Sequence, residues 1–193
     1  ENWDYYADGS LDNADWRSAS NKVKWQNGQA PFGYGNSGRY MDTYSKTKVG
    51  STNNKKICVY FRKTFTLKEA PKADDVFRFS YIVDDGFRVH VNGQDVGGYH
   101  LYEGDGYSVN TESHDGSWYE GDTPGEGFID IPAKYFQKGE NVIAVDVHNC
   151  NNTSSDLFFD ASLVQISTSE QDAEFVSEDP VFEMPSEGDF ELE

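Results

Sequence analysis

Five runs rich in β-branched and aromatic residues punctuate a chain that is otherwise polar and glycine-rich: Cys58–Leu67 (CVYFRKTFTL), 76–83 (VFRFSYIV), 87–92 (FRVHVN), 141–148 (NVIAVDVH) and Leu157–Ile166 (LFFDASLVQI). Side chains that fit a pleated, half-buried surface predict a strand at each run. In the third, Phe87, Val89 and Val91 share one face, and Arg88 and His90 share the other. Asp85-Gly86 lies between two of the runs, and Asn92-Gly93 follows another. Both dipeptides accept the positive φ of a tight hairpin turn. Helical patterning is confined to Pro132–Gln137, one turn with proline at its entry. Short strands, little helix and long connections predict an antiparallel β-sandwich. Segments 1–56 and 97–127 carry few strand signals and many aromatics, so they are expected to decorate its edges and ends.

Charge divides the chain. Of 193 residues, 34 are acidic and 16 basic, for a net charge of −18. Residues 168–193 hold ten acids and no Lys or Arg, leaving 24 acids and 16 bases, a net of −8, in 1–167. The expected organisation is therefore a sandwich over 1–167 and an acidic tail over 168–193. Net acidity excludes nucleic acid as a partner, because phosphate binding needs clustered Lys and Arg. It also disfavours anionic membrane surfaces, and no apolar stretch has the roughly 18 residues of a span, so no membrane insertion is expected. The chain begins with Glu rather than Met and shows no charged-then-apolar leader, and it reads as a processed segment of an exported protein.

A series of motifs recurs in order: Trp3-Asp4-Tyr5-Tyr6-Ala7-Asp8-Gly9 with Trp16; Trp25-Gln26-Asn27-Gly28 through Pro31-Phe32-Gly33-Tyr34-Gly35; Tyr60-Phe61-Arg62-Lys63-Thr64-Phe65; Asp84-Asp85-Gly86; Val91-Asn92-Gly93; Gly139-Glu140-Asn141-Val142-Ile143-Ala144-Val145; and Ser155-Asp156-Leu157-Phe158-Phe159-Asp160. Over residues 1–166 the chain resembles the galactose-binding-like jelly rolls appended to secreted hydrolases and phosphoesterases. The resemblance implies a jelly-roll sandwich, an extracellular or cell-surface setting and a relation to carbohydrate-binding modules. It implies no single function, since folds of this kind also serve as spacers and assembly modules.

Candidate chemistry follows from residue types. Sugar rings present C–H faces that stack on aromatics, and their hydroxyls need polar partners. Trp118 and Tyr119, with Tyr102 and Tyr107 upstream, lie in polar, glycine-rich sequence suited to a glycan platform; the alternative is that these rings pin a long loop. Trp3, Trp16, Trp25 and Tyr34 are expected in the core. Asp8, Asp12, Asp15, Asp84, Asp85, Glu103 and Asp105 are candidate oxygen ligands for a structural calcium, although no EF-hand spacing is present. His90, His100, His114 and His148 have no close pairing and no CxxC accompanies them, so each is expected to be solvated or hydrogen-bonded. No nucleophile elbow, HExxH or P-loop occurs, and the chain is expected to be non-catalytic, with no required cofactor.

Cys58 and Cys150 are disulfide candidates, closing a loop whose chain-entropy contribution is roughly 4 kcal/mol, or else two buried thiols. Asn151 and Asn152 head overlapping N-x-S/T sequons, candidates for glycosylation. In the tail, Phe175, Val176, Val181, Phe182, Met184, Phe190 and Leu192 alternate with acids towards the end. Such a ribbon suits strand addition to a sheet edge, in its own sandwich or a neighbour's. Insertion into a neighbour would build a head-to-tail fibre of copies of itself. The readings carried forward are an assembly subunit of a surface fibre or matrix, a carbohydrate-binding module, and a tail that is simply a linker.

Overall fold

The computed structural model describes residues 1–100 and 125–167. Eleven strands, one short helix and one 3-10 turn follow in order: β1 (Asn2–Tyr6), β2 (Gln26–Gln29), β3 (Phe32–Tyr34), α1 (Tyr40–Tyr44), β4 (Thr47–Lys48), β5 (Cys58–Leu67), β6 (Val76–Asp84), β7 (Gly86–Val91), β8 (Gln94–Tyr99), β9 (Gly125–Pro132), the 3-10 turn Ala133–Tyr135, β10 (Gly139–His148) and β11 (Leu157–Ile166). They form two sheets. Sheet A has the order β2-β1-β5-β10-β7-β8, and sheet B the order β4-β3-β11-β6-β9. All pairings are antiparallel except the two-residue contact of β3 with β4. This is the expected β-sandwich.

Period-two patterning decides which face each strand buries. Phe77, Phe79, Tyr81 and Val83 of β6 turn inward, as do Phe87, Val89 and Val91 of β7 and Leu157, Phe159, Ala161 and Leu163 of β11. Phe61, Val145 and Val147 meet them from sheet A. Rings dominate the interior: Phe77 stacks on Phe136 at 3.8 Å, and Phe61 lies 4.5 Å from Phe159. Each such side chain stabilises the fold by about 1.5–3 kcal/mol on burial. Trp3, Trp16 and Tyr34 are buried as expected, and Trp25 packs half-buried beside Arg62.

The two dipeptide turns part company. Asn92 (φ 50°) and Gly93 (φ 83°) both take the left-handed conformation that a two-residue hairpin needs, and they join β7 to β8. Asp85-Gly86 makes no hairpin. β6 belongs to sheet B and β7 to sheet A, so the chain changes layers there, and the Asp85 carboxylate accepts a 2.7 Å bond from the Cys150 amide. The segment 1–56 also corrects the sequence expectation. It supplies four strands, with β1 seated between β2 and β5, and β3 beside β11. β9 was likewise unanticipated, because its apolar residues are diluted by glycine and acids.

The outer faces of the two sheets differ. The connection between β1 and β2 folds over sheet A, where Leu11, Trp16, Ala14, Val23 and Trp25 cover Cys58, Tyr60, Val142 and Ala144. Arg62 holds this cover down by donating to the carbonyls of Ser18 (3.0 Å) and Ala19 (3.3 Å). Among the described residues sheet B is covered only at one end, where Tyr40, Met41 and Tyr44 of α1 pack on Ile82 and Phe158. No other described segment lies over the rest of that face.

Candidate functional site

The open part of sheet B is a cleft of about 580 Å³. Its floor is set by strand register. Asp160, Ile82 and Glu126 stand in one row across β11, β6 and β9; Ser162, Ser80 and Phe128 form the next; Val164, Arg78 and Asp130 form a third, outside the cleft lining. Each triplet faces outward because its neighbours along the strands face the core. β3 pairs with β11 only as far as Phe159. Beyond that point the wall is made by Gln29, Ala30, Pro31 and Lys46, with Glu1 beside them.

Phe128 forms the opposite wall. It is 56% exposed, the one large apolar side chain so exposed among the described residues. Arg78 lies 4.0 Å above its ring centre while its Nε and Nη2 donate to the two Asp130 oxygens at 2.8 and 2.9 Å. That bidentate pair neutralises both charges and pins the guanidinium over the ring. Gly127 allows this arrangement: a Cβ there would lie 2.7 Å from the Tyr81 hydroxyl, which fills the core side of β9. Asp160 lies deeper. Burial pushes its carboxyl up to about 6, opposed by the N-terminal ammonium, the Ala161 backbone N–H and Lys46 and assisted by the Glu1 carboxylate. Near neutral pH it therefore exchanges between hydrogen-bond donor and acceptor. Burial also raises the Tyr40 hydroxyl to about 12, with Tyr44, Asp160 and Glu126 adding to the effect. The cleft thus joins an aromatic plate to a floor of hydroxyls and carboxyls, which suits a ligand with both an apolar face and hydroxyl groups.

A second constellation lies beneath the cover of sheet A. Asp146 accepts from His148 Nε2 at 2.7 Å and from His90 Nε2 at 3.0 Å, and all three are buried. Burial alone would raise the Asp146 carboxyl, but the hydrogen bonds and charges of the two imidazoles outweigh it and hold it well below the usual range. Cys58 Sγ sits 3.7 Å from His148 Nε2, and burial raises that thiol strongly. The two histidines, unrelated in sequence spacing, are thus hydrogen-bonded to one carboxylate. Among the described residues no three His, Cys, Asp or Glu side chains are arranged to hold a metal ion.

The sequence-predicted residues fall as follows. Trp118, Tyr119, Tyr102 and Tyr107 lie outside the described residues, as do Glu103, Asp105 and the tail positions Phe175, Val176, Val181, Phe182, Met184, Phe190 and Leu192. Of the two alternatives for Cys58 and Cys150, the structure has the unbonded one, with Cys58 buried and Cys150 partly buried. Cys58 is opposite His148 in the β5–β10 ladder, two residues short of Cys150, which sits instead near Asp85 and Asn151. Asn151 and Asn152 are exposed; the Asn151 Oδ1 accepts from the Thr153 hydroxyl at 2.6 Å. Phe128, Arg78, Asp130 and Asp160 were missed. The signal for Phe128 was the alternation of Glu126, Phe128 and Asp130 with Gly127, Ile129 and Ile131.

No family model matches the chain, and no curated protein matches it in sequence. Solved structures with overlapping folds include a glycosyl hydrolase family 2 member from Bacteroides cellulosilyticus (16% identity, TM-score 0.49, 84% of this chain and 20% of that one). Others are a β-glycosidase from Bacteroides vulgatus (19%, 0.44, 84% and 19%) and a Bifidobacterium dentium β-glucuronidase complexed with coumarin-3-O-glucuronide (18%, 0.44, 77% and 19%). The chain spans about a fifth of the length of each. Overlap at this level assigns neither ligand nor activity to the chain.

Proposed function

We propose that this protein is a non-catalytic carbohydrate-binding module, and that the open face of sheet B is its binding surface. The observation that carries the reading is Phe128: an exposed ring, held by Arg78 and Asp130, beside a cleft whose floor is hydroxyl and carboxyl groups. A pyranose has the matching pattern, with C–H groups on its faces and hydroxyls at its rim. Stacking on Phe128 would bury the sugar's apolar face, while Ser80, Ser162, Glu126, Asp160 and Lys46 offer donors and acceptors for the rim. The cleft volume accommodates one or two rings. In this reading the module acts outside the cell and tethers whatever it is joined to onto a glycan. Affinity electrophoresis and calorimetry against a panel of soluble polysaccharides and oligosaccharides test the proposal. Retardation by at least one glycan, lost in Phe128→Ala, supports it; retardation by none overturns it.

A further inference from the structure

Resting on the carbohydrate reading, the walls of the cleft narrow the class of ligand. We infer that the cleft holds the terminal unit of a glycan and excludes the internal units of an extended polysaccharide. Phe128 has one face to offer. The Arg78 guanidinium carbon lies 4.0 Å from its ring centre, while the Arg78 nitrogens bond Asp130, the next outward residue along β9. That face of the ring is therefore occupied, and it is the one turned towards the row of Val164, Arg78 and Asp130. The other face turns towards the row of Asp160, Ile82 and Glu126.

Spacing then places the ligand. Outward residues on one strand are about 7 Å apart, and carbon atoms in contact are about 3.5–4 Å apart. A pyranose stacked on the second face of Phe128 thus stands over Glu126 and Ile82 and fills the length between the two rows. Beyond it is α1. Tyr40, Met41 and Tyr44 pack on Ile82 and Phe158, Tyr40 meets Phe158 edge-on at 5.4 Å, and the Tyr40 hydroxyl is near enough to feel both Asp160 and Glu126. Ala30, Pro31 and Lys46 bound the β11 side. The stacked ring therefore has walls on three sides. Among the described residues two ways out remain, one past Glu126 at the β9 edge and one over Ser80 and Ser162 towards Val164. They lie at right angles around Phe128. Successive rings of an extended chain run on in one line, so such a chain cannot leave by both. A terminal unit needs only one exit, and a second ring fits over the two serines, whose hydroxyls meet its rim.

Calorimetry tests this with the polysaccharides of the affinity panel, linear xylan, β-1,4-mannan and β-1,4-galactan among them. Each is compared at equal mass before and after partial hydrolysis to chains about ten-fold shorter, which multiplies the ends and leaves the linkages nearly unchanged. Half-saturation follows the molar concentration of the unit that is bound. The inference expects a binding polysaccharide to saturate at one protein per chain end, and its half-saturating mass concentration to fall about ten-fold on hydrolysis. Many proteins bound along one chain, or a half-saturating mass that stays constant or rises on hydrolysis, overturns the inference and leaves the carbohydrate reading in place. Tyr40→Ala lowers the α1 wall and should let uncut polymer bind through internal units, at more than one protein per end; a folded variant that gains no such binding overturns the role given to α1. If that variant does not fold, the stoichiometry of the parent still decides. Failure of every glycan in the panel removes both the inference and the carbohydrate reading.

Discussion

The Arg78 guanidinium carbon lies over the Phe128 ring, 4.0 Å from its centre, although the two residues are diagonal rather than direct partners across the β6–β9 pair. Ser80 is opposite Phe128, and Arg78 is opposite Asp130. The Arg78 side chain leans one pair along, so the salt bridge and the ring contact use the same guanidinium. That coupling restrains an exposed aromatic side chain, which lowers the ordering cost of stacking a ligand on it.

Phe128→Ala should therefore abolish glycan retardation with little effect on folding. The lost cation–π contact is worth about 0.5–1 kcal/mol, and an exposed position contributes little else. A thermal melt near that of the parent, with binding lost, is the expected pair of results. Unchanged binding would remove Phe128 from the site.

Gly127→Ala should destabilise the protein by about 1–3 kcal/mol, because the new methyl group would meet the Tyr81 hydroxyl in a filled core. Urea denaturation reads the change. The companion change Tyr81→Phe removes that oxygen and should recover part of the loss.

Asp160 makes stability depend on pH with a definite sign. Its folded value of about 6 lies above the model-peptide value of 3.8, so the native state holds the proton more tightly. Its favourable contribution is complete below about pH 4 and is lost as pH rises through 6. Asp160→Asn should remove the dependence and leave the variant more stable than the parent at pH 7, by about 2 kcal/mol. Denaturation midpoints taken between pH 4 and 7.5 check this; parallel curves for parent and variant would contradict it.

Asp146 should act in the opposite sense. Its carboxyl is held below the ordinary range, so the stability it supplies is present above about pH 4 and is lost on further acidification. Asp146→Ala leaves the Nε2 groups of His90 and His148 buried without their acceptor, at a cost of about 3 kcal/mol or more. Denaturation at pH 7 measures the loss.

Thiol titration checks the cysteine assignment. Two thiols should react in denaturant without reductant. In the native protein Cys58 should stay unreactive because it is buried and strongly raised. Cys150, raised to about 11 by burial and by Asp85, should react slowly. Zero thiols in denaturant would restore the disulfide.

The local patterning was sufficient for much of the scaffold. Cys58–Leu67 and Leu157–Ile166 form strands over the very spans their composition predicts, Asn92-Gly93 makes its hairpin, and the faces of Phe87, Val89 and Val91 are correctly separated from those of Arg88 and His90. These features depend on side-chain alternation and turn stereochemistry, which are properties of neighbouring residues. β1 to β4 were not readable because they are only two to five residues long, too short to show alternation, and they owe their state to the sheets they join. Phe128 was partly readable, since the alternation through 126–131 was present but thinned by glycine.

What the chain carries in its own order is thus the strands β5, β6, β7, β10 and β11, the faces they bury, and a net acidity. What tertiary structure decided is which faces remain open and which distant residues meet. The β1–β2 connection closes over sheet A, whereas among the described residues sheet B keeps a cleft; register brings Asp160, Ile82 and Glu126 into one row; pairing of β10 with β7 sets His90 and His148 on the same carboxylate. The physical reason is that strand pairing and layer packing are chosen by burial summed over the whole domain, and no window of sequence contains that sum.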